Sequence, residues 1–253
     1  MEYKANRRVE ASARTFFIVE HLSAVDAAGV STLADELDMS KGIVHNHLST
    51  LRELGYVRKV GSDYQLSAKL LRVGLDARSN ARLYTYGHKL CREFATQLDT
   101  AVVLCQHTER ECAVIDANRV PSSLEVRVGS TLPMAGSLPG VVIQLATHPE
   151  NEEIESVTEY DIAQLRTSFE TGGYTTGPLS ASRETDCVAV PILDDEDVCH
   201  GAIGVLLTDG QRDQRLQRLT EATIALRGRI EDRFDSEWTG ERSFATEKHS
   251  WVG

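Results

Sequence analysis

The 253 residues exceed one average domain and suit two, and 41% hydrophobic with 26% charged residues is the composition of a globular protein able to bury a core. No run of about 18 apolar residues exists and no charged-then-apolar leader precedes a cleavage site, which points away from a membrane span or secretory signal and predicts a cytoplasmic protein. The formal net charge of −11 argues against a nucleic-acid partner until it is divided: residues 1–78 hold 11 Lys+Arg against 10 Asp+Glu, leaving 16 against 28 for the remainder.

In chain order, residues 1–10 are polar and read as loose. Residues 12–23 predict a helix, with Ala13, Phe16, Phe17, Val19 and Leu22 near a 3.6-residue period. A short helix over 32–37, capped by Ser31, follows, then a break at Asp38-Met39-Ser40. A second helix runs 41–54 with Val44, Leu48, Leu51 and Leu54 at helical spacing, and Gly55 stands where a left-handed cap residue is cheapest. Strands over 56–60 and 63–66 flank the tight turn Gly61-Ser62. Helix, tight turn, helix, hairpin is a winged helix-turn-helix.

Residues 68–90 are continuously helix-compatible apart from Gly74 and Gly87, and predict a helix linking two domains. From Leu90 the pattern becomes mixed α/β: a helix to Leu98, strands over 101–107, 112–117 and 124–128, and a Gly/Pro-rich loop over 129–140 that opens a helix at Val141. A helix over 161–171, strands over 187–193 and 201–208 around the acidic turn Asp194-Asp195-Glu196-Asp197, a long helix over 214–234 and a tail over 235–253 complete the chain.

If Val44, Leu48 and Leu51 point inward, then Lys41, Gly42, His45, Asn46 and Ser49 share the opposite face of their helix. These short or hydrogen-bonding groups suit the edges of bases in a major groove. Asn can pair with adenine at two points, and Gly42 permits close approach to the phosphates. Ser40 caps this helix, and Arg58 and Lys59 on the wing could hold the DNA backbone. The competing reading is an ordinary helical pair with a solvated outer face.

The stretch from Ser40 to Leu51 with Glu53-Leu54-Gly55-Tyr56-Val57 resembles the recognition helix and wing of IclR-type transcription regulators. The likeness continues through Tyr64 to Gly74, Val126 to Met134, Gly172-Gly173-Tyr174 and Asp186 to Ile192, in the expected order over roughly residues 12–234. It implies an α+β fold: a winged helix-turn-helix (10–67), a linker helix (68–84) that helps build a dimer, and a GAF-like α/β effector domain (85–234), followed by the tail. It also implies a small-molecule effector held against the loop here spanning 132–140, with Leu124, Leu132, Met134, Gly136, Ser137, Leu138, Cys187, Gly204 and Leu206 as lining residues. Backbone N–H groups at that loop and the following helix N-terminus would hold a carboxylate. This chain departs from the pattern: Pro139 has no N–H, Gly177 replaces an acidic position, and Gly204 and Leu206 replace serines, so the pocket reads as less polar.

Five cysteines (Cys91, Cys105, Cys112, Cys187 and Cys199) form no CxxC pair and read as reduced thiols. Cys105, His107 and Cys112 make the best competing constellation, because a turn over 108–111 would set Cys112 opposite His107 and offer a metal or redox site. Their spacing matches no established zinc pattern and a fourth ligand is not evident, so buried sheet residues are the favoured account. His45 and His47 are a lesser metal pair, with His47 read as partly buried. No HExxH, phosphate-binding glycine loop or nucleophile elbow is present, so neither an enzyme, a cofactor nor a bound metal is predicted. Six lysines against 21 arginines on an acidic chain suit a protein from a very salty cytoplasm, where counterion release adds little to phosphate contacts; the competing reading is an ordinary acidic bacterial regulator.

The expectation is a ligand-responsive regulator of carbon-source (sugar or organic-acid) genes. It would bind a pseudo-palindromic double-stranded operator as a homodimer or homotetramer, away from membranes. The alternative is a metal- or thiol-redox-responsive regulator using Cys105, His107 and Cys112.

Overall fold

In the computed structural model the described residues are 6–107, 111–148, 161–180, 183–207 and 212–236. They form two compact units, divided between Ser79 and Asn80.

The first unit contains α1 (Glu10–Ala24), α2 (Val30–Glu36), α3 (Lys41–Glu53), the hairpin β1 (Val57–Val60) and β2 (Asp63–Leu66), and α4 (Lys69–Ser79). Its core is built at helical spacing: Ile18 and Leu22 from α1, Leu33 from α2, and Val44, Leu48 and Leu51 from α3 are all buried. Phe16 and Phe17, expected on the inner face of α1, are instead 63% and 44% exposed, because Ile18 and Leu22 take the seats against the other helices. Backbone bonds tie Ala28 to Tyr64 (N–H to O 3.2 and 2.9 Å), which fastens the hairpin to the α1–α2 connection. Gly29, not Ser31, is the residue before α2, and no side chain caps that helix. α4 buries none of its residues. The helix expected over 68–90 is two helices, since the chain is extended at Ala81 before α5 (Arg82–Gln97) begins.

The second unit continues with β3 (Ala101–His107), β4 (Glu111–Asn118), a 3-10 turn (Ser122–Leu124), β5 (Thr131–Pro133), α6 (Leu138–Thr147), α7 (Ile162–Gly172), β6 (Thr175–Ser180), β7 (Arg183–Leu193), β8 (Cys199–Leu207) and α8 (Arg212–Ser236). The six strands form one sheet in the order β5-β4-β3-β8-β7-β6, every neighbouring pair antiparallel. Alternate residues of β3 enter two different cores. Val102 and Leu104 pack with residues of α5 and α8, while Ala101, Val103 and Cys105 pack with α6. Helices therefore cover both faces, which explains why the strands read as continuous apolar runs.

The strand expected over 124–128 is absent. Glu125 is left-handed (φ 51°), and Arg127 and Ser130 close a turn by bonds from Arg127 N–H to Ser130 Oγ (3.1 Å) and from Ser130 N–H to Arg127 O (2.9 Å). The strand forms later, as β5. β6 was not anticipated at all. The expected turn over 108–111 apart from Glu111, the strand end at Thr208 and the tail beyond Ser236 lie outside the described residues. Among the described residues no helix is long and apolar enough to cross a membrane.

Candidate nucleic-acid interface and effector site

α3 is a helix with both ends finished. Ser40 caps its start, its hydroxyl oxygen accepting from Ile43 N–H at 3.3 Å. At its other end Gly55 has φ +79°, Gly55 N–H bonds Arg52 O (3.0 Å) and Tyr56 N–H bonds Leu51 O (2.8 Å). These two bonds are the Schellman arrangement that a glycine in the left-handed region permits. With Val44, Leu48 and Leu51 directed into the core, Lys41, Gly42, His45, Asn46 and Ser49 are all exposed together, and nothing stands within 4 Å of where a Cβ on Gly42 would project. Among the described residues the Asn46 side chain has no hydrogen-bond partner, while its carbonyl accepts from the Thr50 hydroxyl at 3.1 Å. His47 is half-buried, its Nδ1 2.8 Å from Thr15 Oγ1; because that hydroxyl already donates to Ala11 O, Nδ1 carries the hydrogen.

The wing cations part company. As neighbours on β1, Arg58 and Lys59 face opposite sides of the hairpin. Arg58 lines a shallow depression with Leu22, Ser23, Val25 and Asp26, whereas the Lys59 ammonium stands 5.6 Å from the centre of the Tyr64 ring.

The residues expected to line an effector pocket converge on one core of the second unit: Leu132, Leu138, Cys187 and Leu206 are buried in it, with Leu124 and Met134 packed against it. Cys187 pairs with Leu206 across β7 and β8, and a Cβ on Gly204 would meet Val103, Cys187 and Pro139 within 3.4 Å. The polar groups here are already engaged. The Ser137 hydroxyl donates to Pro133 O (2.7 Å) and accepts from Gly140 N–H (3.2 Å), and Val141 N–H bonds Ser137 O (2.9 Å). Pro139 adds no donor, so the first turn of α6 offers few N–H groups to an anion. Gly136 sits against the Pro133 ring. Sequence reasoning missed Thr175. It is fully buried, its hydroxyl has no hydrogen-bond partner, and it shares a sheet face with its pair Ala189. The only advance signal was a β-branched residue inside a stretch of loop composition.

On the opposite strands the register sets Cys112 directly across from His107, with Cys105 on the same face. Among the described residues no group of three or more His, Cys, Asp or Glu side chains is placed to hold a metal ion. Cys105 and Cys112 are both buried; the neighbouring Cys105 thiol and burial hold the Cys112 thiol well above its usual range. Burial, and then the nearby His200, lower the pKa of His107. Burial likewise raises Cys91 and Cys187, and pushes Cys199 up to about 11. Thiols held protonated and covered are poor nucleophiles. The native protein is therefore expected to react slowly or not at all with a thiol-specific chromogenic disulfide, and to titrate all five cysteines only once denatured. Rapid native reaction of Cys105 or Cys112 would revive a redox reading.

A capped helix with an exposed polar face and a hairpin wing define a winged helix-turn-helix in the first unit, and the second unit is a separate α/β domain. The comparisons with known proteins agree. Residues 12–61 match the IclR helix-turn-helix domain. The chain is 24% identical over 200 residues to the HTH-type transcriptional regulator KdgR of Dickeya chrysanthemi, covering 72% of this chain and 65%, just under two thirds, of that relative. Among solved structures, an IclR transcriptional regulator from Alicyclobacillus acidocaldarius superposes with TM-score 0.73 at 16% identity, covering 89% of this chain and 99% of that one. An IclR homologue from Microbacterium hydrocarbonoxydans complexed with 4-hydroxybenzoate gives TM-score 0.70 at 18% identity, covering 88% and 98%.

Proposed function

We propose that the protein is a cytoplasmic, sequence-specific regulator that reads a pseudo-palindromic operator with the outer face of α3 and responds to a small metabolite in its second unit. The observation that carries this reading is the shared exposure of Lys41, Gly42, His45, Asn46 and Ser49 on a helix whose inner face is wholly committed to the core. One helix specifies only a few base pairs, so a homodimer or homotetramer is needed for a useful site. Apolar side chains left in solvent support that: Phe16 on α1, and Leu71, Val73 and Leu75 on α4 at 64%, 43% and 40% exposure, are natural cover for a second copy. The effector would be largely apolar with a hydrogen-bonding group, since Thr175 offers the free hydroxyl and the α6 turn offers little to a carboxylate. The 4-hydroxybenzoate bound by the Microbacterium homologue shares the apolar ring and the hydroxyl of such a ligand but adds a carboxylate that this turn is poorly built to hold. The family likeness favours control of carbon-source genes. Ligand would act as a coupling free energy, shifting the spacing of two recognition helices.

The test is selection of an operator from random duplex, followed by Asn46→Ala. A bidentate amide–adenine contact discriminates by about 1–3 kcal/mol, so operator affinity is expected to fall roughly tenfold while random duplex is bound almost as before. Equal loss on both would sink base reading by this face, and a failure of selection to enrich any sequence would sink the proposal.

A further inference from the structure

The geometry points to Ser67 and Lys69 as positioning residues that lock the start of α4 to the end of the recognition helix. This rests on the operator reading above. Three consecutive carbonyls, that of the C-cap of α3 and those of the two residues after it, are each taken by this short segment. Leu54 O accepts from Lys69 Nζ at 2.6 Å, Gly55 O from Ser67 Oγ at 2.5 Å, and Tyr56 O from Ser67 N–H at 2.9 Å. The same Ser67 oxygen accepts from Lys69 N–H at 3.2 Å, capping the first turn of α4. The Lys69 ammonium also stands 4.5 Å from the centre of the Tyr56 ring, and its stem lies beside Gly55.

Two features make this more than an ordinary helix end. The last carbonyls of a helix carry its negative end, so an ammonium placed there is held by charge as well as by a hydrogen bond. And α4 buries nothing: every residue from Leu71 to Ala77 is exposed. Its direction relative to α3 is therefore set at its first turn and not by packing along its length. Any displacement of α4 reaches the recognition helix through these contacts. A rigid joint transmits such a displacement, whereas a loosened one lets α3 swivel independently.

The experiment uses the full-length protein, its selected operator, an isolated half-site, and operators whose half-site spacing is changed by about one base pair, a rotation of roughly 34° about the DNA axis. Wild type is expected to bind its own spacing roughly tenfold more tightly than the altered ones, as a joint holding charged hydrogen bonds in place would enforce. Ser67→Ala/Lys69→Met is expected to flatten that preference to about twofold while half-site affinity stays within about twofold of wild type. Ser67→Thr, which keeps the hydroxyl, is expected to retain the preference. An unchanged spacing profile in the double variant overturns the joint. So does an equal loss on half-site and operator, which marks Lys69 as a phosphate contact instead. If exchange protection of α3 collapses in the double variant, Ser67→Ala alone is judged by the same two criteria. A wild type with a selected operator but no spacing preference also overturns the joint, and one that selects no operator overturns the reading beneath it.

Discussion

Gly201→Ala is expected to cost the second unit about 3 kcal/mol or more, a large share of the roughly 5–15 kcal/mol that holds a domain folded. Gly201 lies in β8 at φ +151°, and a Cβ there would stand 2.1 Å from the carbonyl oxygen of Cys105 and 2.7 Å from Leu83 Cδ2. The first clash is with backbone in the adjacent strand, so no side-chain rotation relieves it. β3 and β8 are the central pair of the sheet, and their separation would have to grow to admit one methyl group. Segment-resolved hydrogen exchange is the appropriate measurement, because two units need not unfold together. Protection should fall in β3 and β8 while α1 to α3 are unaffected. Gly228→Ala is the control: nothing lies within 4 Å of its Cβ position in α8, and a helix-interior glycine replaced by alanine should gain about 0.5–1 kcal/mol. Wild-type-like exchange in Gly201→Ala would mean that the strands are less closely packed than described.

Leu48→Ala is expected to cost the first unit about 2–5 kcal/mol. Leu48 is fully buried at the centre of a core drawn from α1, α2, α3 and the hairpin. A unit of this size holds together by only about 4–12 kcal/mol, at ~0.05–0.15 kcal/mol per residue, and cannot spare the loss. Exchange protection across α1 and α3 should drop, and operator binding with it, while the sheet of the second unit keeps its protection. Ser49→Ala, one residue along on the outer face, should leave protection within about 0.5 kcal/mol of wild type. If the two substitutions had the same effect on exchange, the assignment of inner and outer faces of α3 would be wrong.

Helix α3 was legible because several independent signals coincide there: Ser40 as cap, Val44, Leu48 and Leu51 at helical spacing, and Gly55 as the stop. The wing was equally plain, with a two-residue turn between two short strands. Periodicity was misleading where only local geometry decides. Leu124, Val126 and Val128 alternate as a strand does, yet a left-handed Glu125 and the Arg127–Ser130 turn bend the chain there. Residues 68–90 are all helix-compatible, and nothing in them announces the break at Ala81. Phe16 and Phe17 fit an apolar stripe as well as Ile18 does, but α1 has one buried stripe and it runs through Ile18 and Leu22. The residues expected around an effector were legible, through the family likeness, as neighbours in one core. What they do with their polar atoms was not, because the double use of the Ser137 hydroxyl and the stranded hydroxyl of Thr175 arise only from tertiary packing.

The two outermost strands of the sheet have one thing in common. β5 carries Pro133 and β6 carries Pro178, and β6 has an irregular register between Pro178 and Ser180. An imino acid withholds the hydrogen that an incoming strand would need, and a kinked rim offers no straight template. Bridging of Ser137 to Ser180 occupies part of that rim further. Both rims of the described sheet are thus poor templates for edge-to-edge pairing.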